Sequence, residues 1–136
     1  MLTLLTALLI PIAWPARQSP PVIHPGVAAF AKAYPAFEMP IDGAGLATIP
    51  SVGLDAAGAL TIAYRYRSEG EDRAGEMTLR PRERPGVYRG SWRTEATNGN
   101  VYAGELTLRF ADDGTAAGTY TYAGAEYGIA IRRRAD

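Results

Sequence analysis

The sequence predicts an all-β domain, an antiparallel meander of about seven or eight strands curled into a small, calycin-like barrel or half-barrel. Three observations predict it. From residue 51 onward, apolar and polar residues alternate at period two in one short run after another. Turn sequences carrying glycine separate the runs. The pairings those turns impose bring the apolar faces of neighbouring runs onto one side.

The chain opens with "MLTLLTALLIPIAWPARQSPP". The apolar run is too short to cross a bilayer as a helix, which takes roughly 20 residues, but it suits the central region of an export signal. No basic residue precedes it and no small-x-small cleavage site follows. Residues 1–16 therefore read as an export signal or apolar leader, with a short element packed on the domain as the other reading. Export would make the protein secreted or periplasmic.

Residues 17–50 read as a proline-rich arm, since all but two of the 10 prolines lie before residue 58. Within the arm, "PGVAAFAKAY" predicts one short helix, started by Pro25 and stopped by Pro35. Val27, Phe30 and Tyr34 fall near one face, as a helix closing the end of a barrel requires. His24, just ahead, reads as a solvated loop side chain.

Residues 51–136 form the meander. "LTIAYRYR" puts Leu60, Ile62, Tyr64 and Tyr66 on one face, and the same alternation recurs in "EMTLR", "VYRGSWR", "VYAGELTLRF", "GTYTY" and "EYGIAIR". "SVGL" precedes them. Parity tests the turns, because directly opposed residues of an antiparallel pair share a face. Three-residue loops with glycine third, at 56–58, 97–99 and 112–114, pair Leu54 with Leu60, Trp92 with Gly104, and Leu108 with Gly118. For the last hairpin, a two-residue turn at Gly124-Ala125 pairs Tyr122 with Tyr127 and Tyr120 with Ile129. Asp112 and Asp113, the adjacent acids of "FADDGT", are thereby read as turn residues rather than chemistry.

This register points Tyr64, Tyr66, Tyr88, Trp92, Tyr102, Tyr120, Tyr122 and Tyr127 inward, with Gly90, Gly104 and Gly118. Rings lying over strand glycines recover part of their cost and let a sheet bend. Either the rings fill the gaps and the core is dry, or they line a cavity for a small, partly apolar molecule. On the second reading the ligand-binding residues are Tyr64, Tyr88, Trp92, Tyr102, Tyr120, Tyr122 and Tyr127.

Composition narrows the functions. The 14 basic and 14 acidic residues balance, and there is no cysteine and one histidine. Disulfide frameworks, thiolate metal sites and multi-histidine zinc sites are thus excluded. The acidic clusters "SEGEDRAG" and "DDG" lack the spacing of a calcium loop. The inward positions of these strands hold no acid, so no catalytic residue, metal or cofactor is expected. The arginines of "RPRERPGVYRGSWR" face away from the aromatics, which argues against nucleic acid, and they read as a solvated edge that resists strand addition.

"GSW" followed by "GELTLRFADDGTAAGTYTYAG" resembles the opening strands of avidin-like barrels, which also run Gly-x-Trp, a strand, a glycine turn and Gly-x-Tyr. The resemblance spans Gly90 to Gly124 and implies a calycin-like architecture. It carries over no ligand-binding residue and no biotin activity. The sequence thus favours an exported, non-enzymatic protein holding a small ligand. The alternative is a structural or inhibitor-like interaction domain of the cell envelope, meeting an envelope protein through loops 68–75 and 81–86 over a dry core.

Overall fold

Eight antiparallel strands close on themselves in sequence order in the computed structural model, which describes residues 23–135. They are β1 (Phe37–Ile41), β2 (Gly45–Leu54), β3 (Leu60–Ser68), β4 (Glu71–Pro81), β5 (Val87–Ala96), β6 (Val101–Phe110), β7 (Ala116–Tyr122) and β8 (Ala125–Arg133). Closure comes from β1 pairing with β8, Phe37 opposite Arg133 and Ile41 opposite Ile129. Ahead of the barrel lie a helix, α1 (Pro25–Lys32), and a 3-10 turn (Tyr34–Ala36). The leader read at residues 1–16 lies outside the described residues.

The parity argument holds at three hairpins. Leu54 faces Leu60, Trp92 faces Gly104, and Leu108 faces Gly118. Their loops share one construction. The residue before the loop donates its N–H across it (Asp55 to Ala59, Ala96 to Asn100, Ala111 to Thr115), and the glycine in third place adopts φ of 87°, 90° and 95°. Those angles are costly for residues with a Cβ. Asp113 completes its loop by accepting from the Thr115 N–H at 2.9 Å and its hydroxyl at 2.7 Å. These bonds hold the Asp113 carboxyl below its ordinary pKa, and the acid is a turn residue.

The last hairpin differs from expectation by one step. Its turn is Ala123-Gly124, with φ of 53° and 82°, so Tyr122 faces Ala125 and Tyr120 faces Tyr127. Two successive positive φ values make a type I′ turn, whose twist suits a hairpin. Parity is unchanged, and the tyrosines keep their inward face.

The sheet also begins earlier than the alternation suggests. β1 and the first part of β2 fall within the stretch 17–50 read as an arm. β2 was hidden by a bulge between Thr48 and Ser51. Ala47 and Ile49 are buried on one side of it, and Val52 and Leu54 are half-buried on the other. One extra residue thus switches the inward set from odd to even and breaks the period-two signal. Because the barrel closes, the arginine-rich stretch at 80–93 is not an edge. Its arginines solvate the outer wall of paired strands β4 and β5 and the loop between them.

Helix α1 seals one end. Val27 and Phe30 are fully buried, and the Phe30 ring packs edge-on against Phe37 at 5.4 Å and tilted against Phe110 at 5.7 Å. Tyr88 adds an edge contact to Phe110 at 5.6 Å. His24 is not a solvated loop residue, since its Nδ1 accepts from the Gly26 N–H at 3.1 Å and caps the helix. Its Nε2 lies 3.5 Å from Asp112. Gly26 sits so close to the Ala111 carbonyl that a Cβ would stand 1.7 Å from the oxygen, so the helix start is pressed onto the β6–β7 loop.

Candidate functional site

At the opposite end, where the β1–β2, β3–β4, β5–β6 and β7–β8 turns gather, the interior is not filled. A cavity of about 140 Å³ opens there. Tyr64, Met77, Trp92, Thr94 and Ile129 line it with Tyr66, Arg73, Tyr102, Tyr120 and Tyr122, and Ile41, Gly43 and Ala44 complete it from β1 and the turn that follows.

Each ring is held in place by the strand beneath it. Tyr64 lies over Gly75, where a Cβ would stand 2.3 Å from the ring. Its hydroxyl is hydrogen-bonded to the Thr94 hydroxyl, and both residues are almost fully buried, at 2% and 1% exposure. Burial pushes the Tyr64 hydroxyl up to about 12, the Thr94 bond opposing only part of the rise. The Trp92 indole lies over Gly104, as the ring-over-glycine pairing requires, and its Nε1 donates to the Thr121 carbonyl at 3.2 Å. Tyr120 meets Trp92 edge-on at 5.7 Å, and its hydroxyl donates to the Asp42 carbonyl. Burial raises its pKa too. Tyr122 leans on Trp92 at 5.9 Å and meets Tyr102 edge-on at the same distance.

Five of the seven residues anticipated for a ligand site are therefore brought together: Tyr64, Trp92, Tyr102, Tyr120 and Tyr122. Two are not. Tyr88 belongs to the sealed end, buried against Phe110, and Tyr127 stacks behind Tyr120 at 5.2 Å instead of lining the cavity. An aliphatic floor from Met77 and Ile129 and the buried Thr94 complete the group, along with Tyr66, an inward residue stacked on Tyr64 at 6.2 Å.

The residue that sequence reasoning missed is Arg73. "SEGEDRAG" was read as a loop, but only Glu69-Gly70 turns, with φ of 53° and 76°. β4 starts at Glu71 and sets Arg73 opposite Tyr66 on the inner face, with Glu71 opposite Ser68 at the rim. The expectation of an inner register free of acids is corrected by Glu71. The signal was present, because 71, 73, 75, 77 and 79 share the parity of the buried Met77 and Leu79.

Arg73 is 17% exposed, and its guanidinium carbon stands 5.1 Å from the centre of the Tyr102 ring. Such stacking is favourable for a guanidinium out of bulk water. The Tyr66 hydroxyl beside it raises its pKa above the ordinary guanidinium value, so it is charged at every accessible pH. Its Nη2 lies 3.8 Å from both Glu69 and Glu71, beyond hydrogen-bonding distance. Its buried Nε has no partner among the described residues.

The lining thus combines aromatic faces, neutral hydroxyls and one fixed positive charge, with no carboxylate among the residues that line the space. Among the described residues, no group of three acidic, histidine or cysteine side chains is placed to hold a metal, and no helix is long and apolar enough to cross a membrane. No family model, curated protein or solved structure matches the chain.

Proposed function

We propose that the barrel is a non-enzymatic binding protein that holds a small, single-ring-sized molecule in the cavity at its open end. The observation that carries this reading is the contrast between filled and unfilled interior. Side chains and α1 close one half, whereas six aromatic side chains from β3, β5, β6 and β7 converge on about 140 Å³ of space in the other. Eight-stranded barrels are just wide enough for side chains or one small ligand. A space near 150 Å³ accommodates benzene, whereas drug-sized ligands need about 300 Å³ or more. Size therefore selects a compact ring over a lipid or a large cofactor.

The chemistry of the wall supports binding over turnover. The Tyr64, Thr94 and Tyr120 hydroxyls are tied into the barrel, burial raises the pKa of both tyrosines, and no carboxylate or histidine lines the space to act as a base. Export is proposed on the apolar run 1–16 alone, and the N-terminal residue of the mature chain decides it. A mature chain that still begins at Met1 removes it.

The test of binding is to fill the site. Ala44→Phe places a ring at the cavity mouth without touching the sealed end. Single-ring probes are expected to quench Trp92 fluorescence and raise the melting temperature of the wild type, and to do neither in Ala44→Phe. Equal responses in both proteins would place any binding elsewhere, and no response in either would favour the interaction-domain alternative.

A further inference from the structure

Resting on the binding reading above, we propose that the ligand is anionic, a ring bearing a carboxylate, with the carboxylate on Arg73 and the ring against Trp92 and Tyr122. The argument starts from what Arg73 lacks. A guanidinium presents five donors in a planar fork suited to carboxylate oxygens. The barrel spends few of them. The Tyr66 hydroxyl beside the guanidinium takes up one, Glu69 and Glu71 each stand 3.8 Å from Nη2, and the Glu69 side chain is 87% exposed to water. Nε is out of solvent with no acceptor among the described residues. Buried donors are almost always paired, and since Nε is covered by the protein, an acceptor arriving through the cavity that Arg73 lines meets the terminal nitrogens of the fork.

The fold also explains why an arginine is placed here. Its position on the inner register is set by β4 running opposite β3, with Tyr66 directly across. The Tyr102 ring lies beneath the guanidinium, 5.1 Å from its carbon to the ring centre, and supports it without using any donor. The charge is thus oriented and held partly out of water, where a charge-assisted hydrogen bond is stronger than in solvent. A carboxylate suits this arrangement because its plane matches the guanidinium fork and leaves most of the space, about 140 Å³, to the ring. An ammonium ligand is the competing occupant for an aromatic wall, and the positive charge already in the lining opposes it.

The experiment compares three single-ring probes of similar size, anionic benzoate, neutral benzamide and cationic benzylamine, by titration calorimetry on the full chain, with Arg73→Met and Arg73→Lys alongside. Benzoate is expected to bind tightest, benzylamine weakest. Arg73→Met should cost benzoate roughly tenfold or more while leaving benzamide unchanged, and Arg73→Lys should fall between, having charge without the fork. Benzamide matching benzoate, or benzylamine leading, overturns the anion assignment while leaving the cavity as a binding site. No heat from any probe, in wild type or variant, defeats the binding reading as well. Should Arg73→Met fail to fold, the wild-type ranking and its weakening by salt decide the matter by themselves.

Discussion

The two ends of this barrel are built from the same strands but finished with different rings. At the sealed end, Phe30, Phe37 and Phe110 meet as hydrocarbon, and α1 lies across them. At the open end, the corresponding inward positions carry tyrosine, tryptophan and Arg73 around an empty space. A phenylalanine needs nothing but neighbours, so it can be buried completely. A tyrosine or arginine brings a polar tip that needs a partner or a route to water. Tyr88 apart, which is buried at the sealed end, the inward polar tips therefore gather where the barrel is open. On the proposed binding reading, stability resides chiefly at one end and recognition at the other.

The strongest way to break that division is Phe30→Ala. Truncating a fully buried phenylalanine costs about 3–5 kcal/mol, and denaturant melts should show it. Ring probes should still bind the folded fraction with unchanged affinity, because no atom of the cavity wall is removed. An affinity that fell in step with stability would show that the two ends are one unit.

A smaller effect sharpens the border between them, where Tyr64 forms the cavity floor. Its pKa rises from 10.0 in an unfolded chain to about 12 in the barrel. A tyrosine raised in this way lends stability that is fully present below pH 10 and lost as pH climbs through 12, because the unfolded chain releases its proton first. The loss amounts to about 2–3 kcal/mol at the upper end of that window. Tyr64→Phe should flatten the decline in urea midpoint between pH 10 and 12, at a cost near 1 kcal/mol at neutral pH from the lost Thr94 bond. A decline of the same slope in both proteins would mean that Tyr64 is open to water.

Most of the architecture was legible because hairpins are local. Loop length and glycine position set the pairing, and parity then orients every side chain on both strands. That is why the sequence alone places Trp92 over Gly104. What escaped has a physical cause in each case. The bulge after Thr48 reverses parity inside one strand, which a period-two pattern cannot express. β1 is only five residues long and contains Pro40, so it has too little pattern to register. Closure of β1 onto β8 joins segments distant in sequence, and no local signal reports it. Arg73 was lost to composition, since a run of acids around Gly70 reads as a loop even where its alternation continues that of Met77 and Leu79. The cavity itself depends on where rings stop short of one another, and packing at that scale is not written in residue order.

The β1–β8 seam also sets a schedule for the chain. Every strand, β1 included, pairs with its sequence neighbour and can zip up as soon as it exists, but the other edge of β1 waits for residues 125–133. α1 waits too, because its seat includes the 111–115 loop. Until the last strand arrives, Phe37, Met39 and Ile41 sit on an unpaired edge, the kind of surface that invites association with other chains. A ribosome working from the N-terminus therefore releases an open ribbon first, and only the final strand turns it into a tube.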